Sequence, residues 1–337
     1  MSRIAVIGAG AWGTALALSL ARRGGHQLSL WARSEQASSA IARDGQNSAF
    51  LPGFPIPPEI VVTADAAVAL ANAEIVVGTV PSQYIRATFQ QLAPYLRPGG
   101  GQVLVSATKG IEDGTFLRMS EVIRQTLAGP GCDVLCGVLS GPSFAQEVAA
   151  GSPTAVTIAF EDTAVAARMQ REFSSSTLRL YTNEDVIGVE FGGALKNVIA
   201  ISSGIVAGLE LGHSSAAALM TRGIAEITRL AVACGGRRET MAGLSGLGDL
   251  VLTCTGSLSR NRSVGIALGQ GRLLGDILDG LHGKVAEGVR TTSAALGLAR
   301  RHGVEMPITE QMEAILHHGR APFDAIQELM GRPGRDE

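Results

Sequence analysis

The sequence contains few cysteines, and their spacing argues against a disulfide-rich or zinc-binding protein. The four are Cys132, Cys136, Cys234 and Cys254. They form no CxxC pair, and no histidine stands at zinc-ligand spacing from them. We therefore expect buried free thiols, the reducing environment of the cytoplasm, and a function that needs no metal.

Charged and aromatic residues are also scarce. They make up 17% and 4% of the 337 residues, against 46% hydrophobic residues. The formal net charge of −2 argues against a general nucleic-acid binder, although a local basic patch can still take a small anion such as phosphate. The composition is typical of a globular protein, and the length exceeds what one hydrophobic core usually fills. We expect two domains.

No export signal or membrane-spanning run stands out. The chain enters an apolar strand at Ile4 without a preceding basic region, a longer apolar segment and a cleavage site. No uncharged apolar run is long enough to cross a bilayer. We therefore expect a cytoplasmic protein without membrane insertion.

The glycine-rich segment GAGAWG predicts a dinucleotide-binding site. It follows the β-branched run Arg3–Ile7 and precedes the helical spacing of Trp12–Arg23. In this context Gly8, Gly10 and Gly13 complete the GxGxxG pattern. Gly8 permits a tight turn, Gly10 lets a pyrophosphate approach the backbone, and Gly13 lets the helix pack on the strand.

The next predicted strand, Gln27–Trp31, lacks the acidic residue that would hold the ribose of NAD at its end. Arg33 stands there instead, and a guanidinium can bind the 2′-phosphate of NADP through two hydrogen bonds. We therefore favour NADP(H), while Glu35 leaves NAD(H) open. The alternative is that Arg33 is an ordinary exposed arginine.

Further apolar runs alternate with helical segments, which indicates a doubly wound, largely parallel sheet. These predicted strands are Glu74–Thr79, Gln102–Ala107, Asp133–Leu139, Thr154–Phe160 and Leu178–Tyr181. Asn47–Pro58 is interpreted as a proline-rich loop near the site. Lys109 follows a strand at the edge where open α/β sheets bind ligands, although it could be a plain loop lysine. The turn Ser140–Ala145 offers backbone N–H groups and hydroxyls to a ligand.

Past Asp185 the strand pattern gives way to helical periodicity. We expect an α/β protein with a Rossmann-type doubly wound sheet over residues 1–187 and a mostly α-helical domain over residues 188–337. Ala216–Cys234 and Ser263–Leu268 are two of the predicted helices.

Lys196 is the one lysine in the helical run Glu190–Leu209, which is otherwise uncharged after Glu190. Gly192 and Gly193 share its helix face, and because glycine weakens a helix we expect a group other than protein to approach there. The alternatives are a snorkelling lysine or an ion-paired one. Asp249, alone among apolar residues in its segment, is a candidate partner.

The segment Ser257–Arg262, SLSRNR, precedes a predicted helix. Ser259 and Asn261 are typical N-cap residues, and Arg260 adds a forked cation. Such a helix start can bind a phosphate group. A plain N-cap with solvated arginines is the alternative.

Eight segments together resemble the bacterial NAD(P)-dependent glycerol-3-phosphate dehydrogenases. They are GAGAWGTALA at 8–17, NSAFLPG at 47–53, ATKGIE at 107–112, SGPSFAQE at 140–147, GGALKNVIAI at 192–201, GLGDLVLTC at 246–254, SRNR at 259–262 and VAEGVRT at 285–291. They occur in this order over nearly the whole chain. The resemblance implies an N-terminal Rossmann domain, a helical C-terminal substrate domain and a homodimer.

The resemblance also implies roles for individual residues. It makes Lys196 the proton-transferring residue, with Lys109 and Asp249 in the catalytic group. Substrate contacts are implied at Lys109, Gly141, Ser143, Lys196, Asp249, Ser259, Arg260 and Asn261. Cofactor contacts are implied at Gly8, Gly10, Ala11, Trp12, Gly13, Arg33, Lys109, Ala145, Arg260, Val285 and Glu287.

The implied reaction interconverts dihydroxyacetone phosphate and sn-glycerol 3-phosphate by hydride transfer with NAD(P)H, which supplies phospholipid synthesis. Lys196 would exchange the proton, Lys109 would polarise the same oxygen, and Asp249 would orient Lys196. The substrate is then a small phosphorylated molecule rather than a nucleic acid. Two alternatives remain: another β-hydroxyacid dehydrogenase or ketopantoate-reductase-like enzyme, and a non-catalytic NADPH-sensing protein.

Overall fold

The computed structural model describes residues 1–97, 100–129, 134–281 and 285–334. Cys132 and the predicted strand start at Asp133 lie outside the described residues. The chain divides into two compact units. Met1–Lys109 and Leu117–Glu190 form the first unit, and Gly110–Phe116 and Phe191–Glu337 form the second. The sequence predicted a single boundary between residues 187 and 188. In the structure the second unit also includes the short internal segment Gly110–Phe116.

The first unit is built on strands that the β-branched and aliphatic runs of the sequence produce. In chain order the strands are β1 (Ser2–Ile7), β2 (His26–Trp31), β3 (Gln46–Asn47), β4 (Leu51–Pro55), β5 (Ile60–Thr63), β6 (Ile75–Gly78), β7 (Val103–Ser106), β8 (Cys136–Ser140), β9 (Thr154–Ala159) and β10 (Leu178–Asn183). In the described part of the chain, eight of them form one sheet in the order β10-β9-β8-β7-β6-β1-β2-β5.

The sheet is parallel from β5 to β8, and β9 and β10 are parallel to each other. The exception is the pairing of β8 with β9, which is antiparallel. The prediction of a doubly wound, largely parallel sheet is therefore confirmed, with the last two strands reversed. The carboxyl ends of β1, β6, β7 and β8 lie along one edge, where a doubly wound sheet binds ligands.

Helices cover both faces of this sheet. In the first unit they are α1 (Ala11–Arg23), α2 (Glu35–Asp44), α3 (Ala66–Leu70), α4 (Ile85–Leu92), α5 (Met119–Leu127), α6 (Ala145–Ala150) and α7 (Thr163–Phe173). One core packs α1 residues such as Leu16 against Val6 of β1. The other packs Phe89 of α4 against the opposite face, next to Val76. Burial on both faces explains why the strands read as nearly continuous apolar runs.

Polar side chains determine where several of these helices begin. The Ser34 hydroxyl accepts a hydrogen bond from the backbone N–H of Ala37 at the start of α2. The carboxylates of Asp65 and Asp162 accept from two backbone N–H groups each at the starts of α3 and α7. These N-caps satisfy donors that have no partner inside the helix.

In this half of the chain one prediction is wrong and one strand was missed. Asn47–Pro58 is not only a loop, because β3 and β4 pair in an antiparallel two-stranded sheet that contains most of it. Strand β5 was not predicted at all. Its side chains, apart from Ile60, are partly or largely exposed, as is usual for an edge strand, and this leaves little hydrophobic signal in the sequence.

The second unit is mostly helical, apart from the turn at Gly110–Phe116 and the connections between its helices. Its helices are α8 (Val186–Gly208, which begins in the first unit), α9 (Gly212–Ala233), α10 (Arg238–Met241), α11 (Asp249–Thr255), α12 (Arg260–Gly269), α13 (Leu274–Asp279), α14 (Glu287–His302), α15 (Pro307–His318) and α16 (Pro322–Met330). A π-helical turn at Leu244–Gly248 precedes α11. The predicted helices at 216–234 and 263–268 are confirmed with boundaries a few residues away.

Glycines allow α8 and α12 to approach closely. A Cβ at Gly204 would lie 2.8 Å from the Cα of Gly265, and a Cβ at Gly269 would lie 3.0 Å from the Cα of Gly208. Small residues at both positions let the two backbones touch. The contact fixes the position of α12 relative to α8.

Helix α8 is long and apolar enough to cross a membrane by composition alone, but 89% of its most apolar window is buried inside the protein. It is therefore the central core helix of the second unit. Cys136 and Cys254 are buried free thiols, as predicted, and burial raises the pKa of each to about 12. Cys234 is partly exposed, so the expectation of burial is wrong there.

Candidate functional site

The glycine turn of the first unit has the geometry of a dinucleotide-binding loop. Gly8 has a φ of +115°, which only glycine adopts readily. A Cβ at Gly13 would overlap the carbonyl oxygen of Gly8, whereas a Cβ at Gly10 would meet no described heavy atom within 4 Å. Thus Gly8 and Gly13 are required by the protein's own packing, and Gly10 leaves space for a ligand to approach the backbone.

The start of α1 carries a polar group suited to that ligand. Ala11 is the first residue of α1 and Trp12 the second. The indole N–H of Trp12 is buried and has no hydrogen-bond partner among the described residues. A buried donor without a partner is costly, which makes it a candidate to meet an acceptor on a bound dinucleotide.

Asn47 supports the loop, a role that the sequence alone did not reveal. Its side-chain amide donates hydrogen bonds of 2.8 Å to the carbonyl oxygen of Ala9 and to the hydroxyl of Thr14. The side chain is almost fully buried. The resemblance at 47–53 marked the segment, but nothing in the local pattern connected Asn47 to residues 33 to 38 positions away.

Arg33 lies just past the end of β2, as predicted, and its side chain is exposed. Its guanidinium carbon is 5.9 Å from the centre of the Tyr84 ring. Glu35 is the first residue of α2, also exposed, and follows the N-cap Ser34. A cation at this strand end suits the 2′-phosphate of NADP.

Three predicted substrate residues of the first unit converge on one carbonyl group. Lys109 Nζ and Ser143 Oγ each donate a 3.0 Å hydrogen bond to the carbonyl oxygen of Gly141. Gly141 has a φ of +139°, and a Cβ there would lie 2.9 Å from the Cα of Val156. The turn after β8 therefore needs glycine to bring these side chains together. Ala145, a predicted cofactor residue, begins α6 directly after this turn.

In the second unit Lys196 is held in a buried hydrogen-bond network. Its ammonium donates to Oδ1 of Asp249 at 2.6 Å and to the hydroxyl of Thr253 at 2.7 Å. The Thr253 hydroxyl in turn donates to the backbone carbonyl of Asp249 at 2.6 Å. Lys196 is 6% exposed and Asp249 1% exposed. Such a network orients the ammonium and can stabilise its charged form.

The sequence predicted the partnership of Lys196 with Asp249 but missed Thr253. Thr253 lies four residues after Asp249, so both side chains project from the same face of α11. This four-residue spacing is the sequence signal that could have identified Thr253 as a further partner of Lys196.

The interpretation of Gly192 is wrong. A Cβ on this residue would overlap the carbonyl oxygen of Ser245 and would lie 2.9 Å from its carbonyl carbon. Backbone from the π-helical turn, rather than a ligand, therefore occupies the space beside Gly192. Close packing between α8 and this turn is the reason for glycine here.

The predicted phosphate segment forms the start of α12. The Ser259 hydroxyl is its N-cap and accepts from the backbone N–H of Arg262 at 3.2 Å. Arg260 is exposed as a residue, but its guanidinium group lies close to other protein atoms. Desolvation lowers the pKa of its guanidinium, and the charge of Glu287 opposes that shift. Since Glu287 is the first residue of α14, and Val285 lies two residues before it, these predicted cofactor residues belong to the same unit as Arg260.

Asn261 takes part in hydrogen bonds within the second unit. Its side-chain NH₂ group donates a 2.8 Å hydrogen bond to Oδ1 of Asn197, and its side-chain oxygen accepts a 3.1 Å hydrogen bond from the backbone N–H of Gly288. The side chain is thus engaged in joining α8 to the starts of α12 and α14. Its contact with the substrate stays a prediction, and the backbone at this helix start is suited to an anion.

The described residues contain no group of three or more His, Cys, Asp or Glu side chains placed to hold a metal ion. The features that the first unit does contain fit a dinucleotide: the open approach at Gly10, the indole N–H of Trp12 without a partner, and the cation of Arg33.

Comparison with known proteins matches both units to one family. Models of the NAD-dependent glycerol-3-phosphate dehydrogenase N-terminus and C-terminus match residues 3–166 and 185–327. Glycerol-3-phosphate dehydrogenase [NAD(P)+] from Acidobacterium capsulatum is 63% identical over the whole of both chains.

Solved structures show the same relationship. Glycerol-3-phosphate dehydrogenase from Coxiella burnetii superposes with a TM-score of 0.92 at 39% identity, covering 98% of this chain and 99% of that one. A ketopantoate reductase from Ralstonia eutropha superposes with a TM-score of 0.59 at 15% identity, over 96% and 99% of the two chains, and shares the fold alone.

Proposed function

The chain belongs to the NAD-dependent glycerol-3-phosphate dehydrogenase family, and we propose that it interconverts dihydroxyacetone phosphate and sn-glycerol 3-phosphate with NAD(P)H. The observation that carries this proposal is the buried network of Lys196, Asp249 and Thr253. A ketone that is reduced to an alcohol needs a proton at its oxygen, and an oriented ammonium is a suitable donor.

The chemistry divides between cofactor and protein. A bound nicotinamide supplies or accepts the hydride. Lys196 holds the proton that the carbonyl oxygen gains on reduction and takes it back on oxidation. Asp249 and Thr253 fix the direction of the Lys196 ammonium through their hydrogen bonds. Thr253 is thus added to the residues named from sequence.

The remaining site residues support binding in this proposal. Gly8, Gly10, Ala11, Trp12, Gly13, Arg33, Lys109 and Ala145 of the first unit contact the dinucleotide. The cofactor contacts that the resemblance implies at Arg260, Val285 and Glu287 stay predictions. Gly141, Ser143, Ser259, Arg260 and Asn261 contact or shape the space for the substrate. Arg260 is the first residue of α12, and both its guanidinium and this helix start attract an anion, so together they are suited to the phosphate group.

Three further properties belong to the same proposal. The enzyme is expected to act in the cytoplasm as a homodimer and to supply phospholipid synthesis. Light scattering after size exclusion would test the dimer, and a monomer at micromolar concentration would contradict it.

The function is tested by following NADPH absorbance with the purified protein and dihydroxyacetone phosphate. We expect oxidation of NADPH that depends on this substrate, and the reverse reaction with glycerol 3-phosphate and NADP⁺. Turnover of ketopantoate instead would support the ketopantoate-reductase alternative. NADPH binding without turnover of any of these substrates would support a sensor. Repeating the assay with NADH determines the coenzyme preference.

A further inference from the structure

The segment Gly110–Phe116, which we call the strap, directly follows Lys109 and folds with the second unit. It is a tight turn with its own hydrogen bonds. The Phe116 N–H donates to the carbonyl oxygen of Glu112 at 3.0 Å, and the Thr115 hydroxyl donates to the Glu112 carboxylate at 2.6 Å. The chain returns to the first unit at Leu117. The strap is therefore a short, ordered excursion rather than a loose loop.

Phe116 joins the strap to α14. A Cβ at Gly297 would overlap the Phe116 ring, so the ring lies directly on the helix backbone. The guanidinium carbon of Arg301 is 4.3 Å from the ring centre, at cation–π distance. Arg301 also donates a 3.2 Å hydrogen bond to the carbonyl oxygen of Thr115. One aromatic ring is thus held between a glycine and an arginine of the same helix.

Phe116 and Gly297 are both unfavourable residues for the local backbone structure at their own positions. Phe116 has a φ of +63°, a region that bulky side chains rarely adopt. Gly297 lies in the interior of α14, where alanine would favour the helix. Neither residue stabilises its own segment, and the packing of the Phe116 ring on Gly297 explains both. Strain of this kind persists where the surrounding structure requires a fixed geometry.

The position of the strap in the chain indicates what it fixes. Lys109 precedes the strap directly, and its ammonium donates a hydrogen bond to the carbonyl oxygen of Gly141. We propose that Phe116 is a positioning residue for the reaction: by packing on Gly297 it fixes the chain behind Lys109 and so holds the Lys109 ammonium in its working orientation. This inference rests on the proposed function. Absence of turnover by the wild-type enzyme would contradict that function, whereas wild-type turnover that the strap variants retain in full would contradict this inference alone.

A pair of substitutions separates positioning from folding. Phe116→Ala removes the ring, and Gly297→Ala in the same chain fills the vacated space and favours the helix. The double variant should therefore unfold at a denaturant midpoint close to that of the wild type. We expect its kcat to stay lower on the order of tenfold, because the strap is no longer fixed. Its Kd for NADPH should change about threefold or less, since the glycine turn is intact. A double variant with wild-type stability and wild-type kcat would overturn the proposal.

Arg301 provides a test that leaves the helix sequence otherwise unchanged. Arg301→Ala should lower kcat by roughly threefold, because the Phe116 ring then loses its cation–π contact and is held less firmly. Arg300→Ala is the matched control, because Arg300 is the neighbouring exposed residue of α14. Phe116→Leu should recover most of the rate lost in Phe116→Ala, since it restores apolar bulk over Gly297. Equal effects of Arg301→Ala and Arg300→Ala, or no recovery with leucine, would contradict a positioning role for Phe116.

Discussion

The ammonium of Lys196 and the carboxylate of Asp249 form a buried ion pair with an N–O distance of 2.6 Å. Lys196 and Asp249 are 6% and 1% exposed, so water contributes little to their solvation. Removal of either partner leaves an uncompensated buried charge, which costs about 3–5 kcal/mol. Stability and catalysis therefore have to be measured together for any substitution of this pair.

Lys196→Met should abolish proton exchange. We expect kcat to fall by about 10²–10⁴ while the Kd for NADPH stays near that of the wild type. The free energy of unfolding should also fall, because Asp249 stays buried without its cation. Adding Asp249→Asn to the same chain removes that charge and should recover part of the stability without recovering kcat. A rate near normal in Lys196→Met would exclude Lys196 as the proton donor.

Gly10→Ala and Gly13→Ala should have opposite effects on folding and binding. The added methyl at Gly10 meets no described atom within 4 Å, so the protein should fold normally and bind NADPH more weakly, as measured by titration. The methyl at Gly13 would overlap the Gly8 carbonyl, so we expect loss of stability of roughly 1–3 kcal/mol or more. Unchanged NADPH affinity in Gly10→Ala would argue against pyrophosphate binding at this turn.

Arg33→Ala should weaken NADPH binding more than NADH binding. A charged hydrogen bond to the 2′-phosphate contributes about 1.5–3 kcal/mol, so the Kd for NADPH should rise roughly tenfold or more. NADH lacks this phosphate, and its Kd should stay within about twofold. Arg43→Ala, an exposed arginine near the end of α2, is the control for general electrostatics. A parallel loss of affinity for both coenzymes would rule out recognition of the 2′-phosphate by Arg33.

Arg260→Ala should act mainly on the substrate. If its guanidinium binds the phosphate of dihydroxyacetone phosphate, the KM should rise roughly tenfold or more while kcat changes little. Arg262→Ala, two residues along in α12, is the matched charge control. An equal rise in KM for both variants would point to the general field of the segment instead of a contact made by Arg260.

Glu226 should make stability depend on pH. It is 1% exposed, and burial raises its pKa from 4.5 to about 7, although the N–H groups of Ile308 and Thr309 bond to its carboxylate and Arg229 adds a favourable charge. Because the folded pKa is above the unfolded one, the contribution of this group is fully present below about pH 4.5 and is lost as pH rises through about 7. The loss is on the order of 3 kcal/mol.

Denaturant titrations at several pH values check this prediction. Glu226→Gln cannot ionise, so its unfolding free energy should lack this component between about pH 4.5 and 7. An identical pH slope in both proteins would show that Glu226 does not titrate in this range.

The parts of the site that were predictable are those with short-range signals. The glycine turn lies within six residues of sequence and follows a strand, so its role could be derived directly. The partnership of Lys196 with Asp249 could be proposed because each is the only charge in an apolar segment. The resemblance to a family supplied the remaining roles.

The parts that were missed depend on contacts between distant segments. Asn197 and Asn261 are 64 residues apart, and no local periodicity joins them. Gly192 was interpreted as open to a ligand because the backbone of Ser245 that packs on it is far away in sequence. A glycine shows that something comes close, but the local sequence cannot say whether that neighbour is a ligand or another helix.

The close contact of α8 and α12 limits how the active site can be altered. Because the two backbones meet at Gly204, Gly208, Gly265 and Gly269, any larger side chain at these positions would push apart the helices that carry Lys196 and Arg260. The distance between Lys196 and Arg260 is thus set by backbone contact rather than by adjustable side chains. Engineering this enzyme to accept a longer or shorter phosphorylated ketone should therefore begin with side chains at the start of α12, and leave the spacing between the two helices unchanged.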